Sequence, residues 1–193
     1  GVLQTVADMS ETLANYFRYT ISNMSELVTL ADEIQNIRDY FMIQQFRFGD
    51  RIKLNIKIPL DGELRFYRMP KLILQPIVEN AVIHGLESEL NGGTITVTAK
   101  ITDENFYIYI EDDGAGMPHE KLVEINKNLS MHLHIFEKTK KHGGIAIYNV
   151  NERLQLLFGA KYGLTYYSMP QIGTTVEIIL PKVSETKLPG TAL

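Results

Sequence analysis

The sequence predicts a two-layer α/β sandwich preceded by a helical segment, and three observations carry that expectation. Apolar residues recur at helical spacing through residues 3–48. The period changes to two at Arg51. Beyond that point helices alternate irregularly with hairpin strands, which argues against a doubly wound parallel sheet.

Leu3 to about Ile21 reads as a helix, with Leu3, Val6, Met9, Leu13, Tyr16 and Phe17 near 3.6 periodicity. Ser22-Asn23-Met24-Ser25 interrupts it. Thr29 starts a second helix, with Asp32 three residues on in a capping-box arrangement. Leu30, Ile34, Ile37, Phe41 and Phe48 form its apolar stripe, opposite Asp32, Gln35, Asp39 and Arg47. Joined helices with one-sided stripes pack against another helix or a second subunit. Ile52, Leu54, Ile56 and Ile58 then alternate with Lys53, Asn55 and Lys57, a half-buried strand.

Pro70 falls at the expected first turn of a helix running to about Leu86. Strands follow over Thr94–Lys100 and Phe106–Glu111, joined by a turn at Asp103-Glu104-Asn105. Pro118 opens a short helix to about Lys127. Asn128–His142 lacks periodicity and reads as a mobile loop. Gly144–Phe158 is helical, Leu164–Met169 and Thr174–Leu180 make a hairpin around Pro170–Gly173, and 184–193 read as a disordered tail. The expected division is 1–48 helical, 49–183 sandwich and 184–193 tail.

Composition sets the bounds. At 193 residues and 45% hydrophobic content, the chain can bury one substantial core and carry a helical appendage. A net charge of −4 gives no electrostatic case for nucleic acid. No apolar run is long enough to span a bilayer, and the N-terminus lacks a signal-peptide pattern. Zero cysteines exclude disulfides and cysteine metal sites, and fit a reducing compartment. Gly1 in place of Met suggests a soluble piece of a longer chain, compatible with a membrane-bound parent.

Three stations carry chemistry. Glu79 and Asn80 lie inside the otherwise apolar run Leu74–Gly85, where vicinal polar side chains are costly unless a charged group meets them. The carbonyl oxygen of Asn80 suits Mg²⁺, which takes oxygen ligands and keeps several waters. Glu79, about 100° away around the helix, would orient or deprotonate a nucleophile. A plain hydrogen-bonding pair is the alternative. Asp112-Asp113-Gly114-Ala115-Gly116 ends a strand. An acceptor-only carboxylate there matches the exocyclic amine of adenine, and Gly114 and Gly116 would let the backbone pass close to a ring. An ordinary Asp-Gly turn is the alternative. His142-Gly143-Gly144 precedes a helix whose N–H groups would cradle phosphate. Lys138, Lys140 and Lys141 stand upstream, either as added charge or as a solvated loop face. His132 and His134 lack a third ligand and receive no role; His84 reads as a histidine satisfying a helix C-terminus. Together the stations predict a nucleotide site that uses Mg²⁺.

In order and spacing the chain resembles the GHKL ATP-binding superfamily, which includes gyrase B, MutL and sensor histidine kinases. Leu74–Gly85 looks like the N box, Asp112–Gly116 the G1 box, Gly143–Leu154 the G2 box, and Gly173-Thr174-Thr175 the closing Gly-Thr element. LytS/YehU-type sensor histidine kinases are the particular likeness, through Leu-Gln-Pro-Ile-Val-Glu-Asn-Ala, Arg47-Phe48-Gly49-Asp50-Arg51 and Asn149-Val150-Asn151-Glu152-Arg153-Leu154. It covers roughly residues 10–181.

The resemblance implies ATP and Mg²⁺ as ligands and autophosphorylation on histidine, followed by relay to the receiver domain of a response regulator. It assigns adenine to Asp112, metal to Asn80 and the base to Glu79. Gly114, Gly116, Gly143, Gly144 and Thr174 would complete the nucleotide site, and 128–142 would be the ATP lid. It also implies homodimerisation through the N-terminal helices and a cytoplasmic location beneath a membrane sensor. Departures are Ile83 where a basic residue is usual, Asp113 for the commoner Asn, and Ala146 for a second G2 glycine. These keep open a non-catalytic binding module, and a gyrase- or MutL-like ATP hydrolase is a third reading. None of the five histidines (84, 119, 132, 134, 142) lies on the N-terminal helices, so the phosphoacceptor is expected upstream.

Overall fold

The computed structural model describes residues 2–22, 27–59, 62–86, 92–130 and 145–182. Helix α1 (Val2–Ile21) packs on helix α2 (Leu30–Phe48), with strand β1 (Leu27–Thr29) entering the second helix. The start of α2 is set locally. Thr29 is extended, its hydroxyl accepts from Asp32 N–H at 3.1 Å, and the Asp32 carboxylate accepts from Thr29 N–H at 2.9 Å. Leu30, Ile34, Ile37 and Phe41 are buried as the stripe requires, and Phe48 is half-buried. Glu33 and Asn36, on the same side, are buried too.

One expectation fails between the helices and the sheet. Pro70 does not open a helix; it ends strand β3 (Arg68–Pro70), which pairs antiparallel with β1. Helix α3 begins later, at Gln75, with Pro76 in its first turn. Proline tolerates both sites, because a strand end and a first helical turn each leave its missing N–H unneeded. Helix α3 (Gln75–Asn80) then widens into a π turn over Ala81–Leu86.

The remaining strands are β2 (Ile52–Lys57), β4 (Gly93–Ile101), β5 (Asn105–Asp112), β6 (Gly163–Met169) and β7 (Gly173–Pro181). With β2 they form one sheet in the order β2-β4-β5-β7-β6, parallel between β2 and β4 and antiparallel elsewhere. Ile95, Val97, Ile108, Ile110, Val176 and Ile178 are buried on one face, whereas Thr96, Tyr107, Tyr109 and Glu177 alternate toward the other. A slip of one residue would turn the apolar set outward, so the register is fixed by burial. Helix α3, helix α4 (His119–Ser130) and helix α5 (Ile145–Phe158) contribute Ile77, Leu129, Ile147, Val150 and Leu154 to the same core.

Strand β6 is one edge of the sheet, and two asparagines cover it. Asn126 of α4 donates to the Tyr166 carbonyl at 2.8 Å and accepts from Tyr166 N–H at 2.9 Å. Asn151 of α5 accepts from Leu164 N–H at 2.8 Å and donates to the Leu129 carbonyl at 2.9 Å. Backbone groups that would template another strand are thereby paired. The expected loop 128–142 begins later than predicted, because Asn128–Ser130 close α4. Its remainder and the tail 184–193 lie outside the described residues. Among the described residues no helix is long and apolar enough to cross a membrane.

Candidate nucleotide-binding site

Helix α3 carries the polar pair, so its placement decides the site. Its approach, Lys71–Leu74, is anchored on Glu33, a carboxylate 1% exposed on α2. Glu33 accepts from the N–H groups of Leu72 at 2.7 Å, Ile73 at 2.9 Å and Leu74 at 3.0 Å, and from the Tyr19 hydroxyl at 2.5 Å. An anion beside the first turn of a helix also opposes its positive dipole end. Leu72, at φ +56, takes a left-handed conformation that aims these amides together. Arg153 of α5 donates to the Lys71 carbonyl; burial lowers the pKa of its guanidinium, and the negative charge of Glu33 offsets part of that. Arg153 in the Asn-Val-Asn-Glu-Arg-Leu phrase therefore braces the approach to α3.

At the other end of α3 the polar pair divides. Asn80 lines a cleft with Ile77, Ala81 and His84 on the helix side and Asp112, Gly116 and Thr174 on the sheet side. Glu79 turns toward α1, where its Oε1 accepts from Gln75 at 2.6 Å and from the Tyr16 hydroxyl at 3.4 Å. The structure thus places predicted residues Asn80, Asp112, Gly116 and Thr174 around one cleft and Glu79 on another face of α3.

Asp112 ends β5 with its carboxylate against the π turn. Burial pushes its carboxyl up to about 6, against the lowering effect of the N–H groups of Gly114 and Thr174; neighbouring Asp113 adds to the rise. The Gly114 N–H donates to Oδ1 at 3.0 Å. A half-buried acceptor with apolar Ile77, Ala81, Ile110 and Val176 beside it suits a flat base bearing an amine. Thr174 and Ser168 lie with Asp112 in one row across β5, β7 and β6, their hydroxyls 3.0 Å apart.

The glycines meet protein. A Cβ at Gly114 would lie 2.1 Å from the Gly85 carbonyl oxygen, and one at Gly85 would lie 2.7 Å from Asp112 Oδ1. The Ala115 N–H donates to that same Gly85 carbonyl at 3.1 Å. Gly116, at φ +63, presses on the Met169 carbonyl, where a Cβ would fall 2.0 Å away. Close backbone approach therefore demands glycine at 114 and 116, and the Asp112 carboxylate leaves no room for a side chain at 85, whatever occupies the cleft. Gly143 and Gly144, with Lys138, Lys140 and Lys141, lie outside the described residues.

Sequence reasoning missed several participants. Gly85 is the residue against which Asp112 and Gly114 pack, and its place at the end of the apolar run was the available signal. Asp113 accepts from Thr94 N–H at 2.6 Å, tying the start of β4 to the end of β5. Tyr166 lines the cleft floor with its ring buried, and its hydroxyl has no hydrogen-bond partner among the described residues. Ile83 is half exposed and Ala146 exposed, so neither packs into the core.

Among the described residues no three His, Cys, Asp or Glu gather as a metal site. The donor chemistry present, one neutral amide oxygen at the edge of the cleft, suits an ion that brings waters and substrate phosphates as its other ligands.

Comparison with known proteins places this geometry. Residues 68–184 match the model of the histidine kinase-, DNA gyrase B- and HSP90-like ATPases, and residues 3–52 match the histidine kinase model. Sensor histidine kinase YesM of Bacillus subtilis is 34% identical over 176 residues, covering 91% of this chain and 28% of YesM. Sensor protein LytS of Oceanobacillus iheyensis is 35% identical over 170 residues, covering 88% of this chain and 28% of that protein. The chain spans about 28% of the length of these relatives. The histidine kinase domain of an Erythrobacter litoralis blue-light activated kinase shares the fold at TM-score 0.53 and 16% identity, over 91% of this chain and 74% of that one. The catalytic domain of histidine kinase ThkA does so at TM-score 0.56 and 15% identity, over 81% and 95%. The fold expected from sequence, an α/β sandwich with a helical N-terminal segment, is the fold these domains share.

Proposed function

We propose, for a chain that belongs to the histidine kinase-, DNA gyrase B- and HSP90-like ATPase family, that its ATP-binding catalytic domain transfers the γ-phosphate of ATP to a histidine, for relay to the receiver domain of a response regulator. The observation that carries this reading is the division at α3. Asn80 and Asp112 face one cleft, whereas Glu79, a residue away, faces the helical segment. A hydrolase needs its base turned toward water at the nucleotide. A kinase needs it turned toward the element that presents an acceptor.

In this reading Asp112 accepts from the adenine amine, and Thr174, Gly114 and Gly116 shape the rim. Asn80 holds Mg²⁺, which when bound offsets phosphate charge. Gly143 and Gly144 cradle phosphate, and residues 131–142 act as the lid. Glu79 polarises or deprotonates the acceptor, a role that contributes about 10²–10⁴-fold in rate. No histidine stands on α1 or α2, so the acceptor comes from elsewhere in the full-length protein. Residues 1–48 are the remnant of a dimerisation and phosphotransfer region, and 49–183 serve as the catalytic domain of a membrane sensor. Phe17, Ile21, Met42 and Phe46, all at least 45% exposed on α1 and α2, support association of two copies through these helices.

Calorimetric titration with ATP and GTP in Mg²⁺ tests the assignment. Asp112 would face a carbonyl in guanine, and a mispaired buried acceptor costs about 1–3 kcal/mol, so ATP is expected to bind roughly ten- to a hundredfold tighter. Equal affinities would remove Asp112 as the reader of the base.

A further inference from the structure

Glu79 belongs to a hydrogen-bonded chain that crosses three helices. Asn36 of α2 donates to Gln75 Oε1 at 2.5 Å, which fixes the Gln75 amide with its nitrogen turned the other way. That nitrogen donates to the Tyr16 hydroxyl at 2.5 Å and to Glu79 Oε1 at 2.6 Å. The Tyr16 hydroxyl, its acceptor site taken by Gln75, directs its proton to Glu79 Oε1 at 3.4 Å. The Gln75 amide is held in this sense by the Glu79 carboxylate, which can only accept. Gln75 and Glu79 are four residues apart on one face of α3, so one oxygen of the carboxylate is clamped within its own helix and by α1.

We propose that Tyr16 and Gln75 are positioning residues for Glu79: they hold Oε1 so that Oε2 faces the acceptor, and they make the carboxylate's orientation answer to the placement of helix α1. The inference rests on the reading of Glu79 as the base. It adds a route by which movement of the N-terminal helices reaches the chemistry without touching the nucleotide cleft.

The groups facing the couple are few. From α1 come Tyr16 and the Thr20 hydroxyl, from α2 Asn36 and the Tyr40 ring, 6.3 Å from that of Tyr16, and from α3 Gln75 and Glu79. Burial raises the Tyr16 pKa most, and among the described residues the charge of Glu79 adds to that rise. Removing the Tyr16 hydroxyl should free the rotation of the Glu79 carboxylate.

The test is steady-state autophosphorylation of the full-length protein with Tyr16→Phe, Glu79→Gln and the double variant. Tyr16→Phe is expected to lower kcat about tenfold, the scale of one hydrogen bond to a charged group. KM for ATP should stay within about twofold, since the nucleotide cleft is untouched. The loss should vanish in the Glu79→Gln background. An unchanged or raised kcat, or a loss that persists undiminished without the Glu79 carboxylate, overturns the proposal. If the wild-type protein lacks kinase activity, the proposed function fails instead. The 193-residue chain then decides the coupling separately, through the NMR titration of ¹³C-labelled Tyr16. Glu79→Gln should bring that titration down in pH, and no movement would overturn the couple.

Discussion

At the N-terminal end of α3, a carboxylate from 39 to 41 positions earlier gathers three consecutive backbone amides and a phenol. At the C-terminal end the fastening is made by backbone: the Gly85 carbonyl lies against Gly114 and accepts from Ala115. The first arrangement tolerates degrees of change, because a shorter or neutral acceptor keeps some of the bonds. The second has no conservative substitution, since the smallest side chain already exceeds the space. One helix is thus held by chemistry at one end and by close approach at the other, and its polar pair sits where the second begins.

Glu33→Ala should show the largest effect. It orphans buried donors in the interior and leaves Arg153 without its nearby anion, a loss of about 3–5 kcal/mol by urea denaturation. Glu33→Gln should recover part of it; a loss below about 1 kcal/mol for the alanine variant would mean that the amides find other acceptors. Gly114→Ala should come next, at about 1–3 kcal/mol, the cost of overpacking, with nucleotide binding weakened because Asp112 must shift. Full ATP affinity in that variant would show the strand end to be more yielding than the contact implies.

The smallest effect is one of pH. Asp112 is held near 6 in the fold against an ordinary value of 3.8. The folded state therefore binds its proton more tightly, and this contribution to stability is full below about 4 and is lost as pH rises through about 6. Asp112→Asn should flatten that decline. An adenine amine favours the carboxylate, so ATP affinity should rise with pH through about 6, with proton release seen as a buffer-dependent enthalpy in calorimetry. A pH-independent affinity would separate Asp112 from the base it is assigned to read.

What the sequence showed was what is local. The Thr29–Asp32 capping box, the Leu30–Phe41 stripe and the alternation in β4 and β5 depend on neighbours a few positions apart, and each stands in the structure. The stations at Asn80 and Asp112 were visible because a polar group in an apolar run, or an Asp-Gly at a strand end, contradicts its surroundings. Glu33 contradicts nothing at the sequence level: it neighbours Asp32 at a helix start, and its partners lie in a loop some forty residues on. Strands β1 and β3 span three residues each, too few for alternation to register. Pro70 misled because two prolines flank the approach to α3, and only the tertiary pairing of β1 with β3 assigns the first of them to a strand.

The π turn over Ala81–Leu86 carries an implication for how this segment tolerates length changes. A π turn holds about one more residue than an α turn, so it behaves as an insertion absorbed inside a helix. Deleting a single residue from the turn itself would let the helix close to ordinary pitch with its flanks nearly in phase, whereas a deletion from the α-helical part before it would rotate everything beyond by roughly 100°. In the second case Gly85 would leave Asp112, and a side chain would arrive in its place. One residue of length can be given up in the turn, provided Gly85 is kept, and nowhere else in α3.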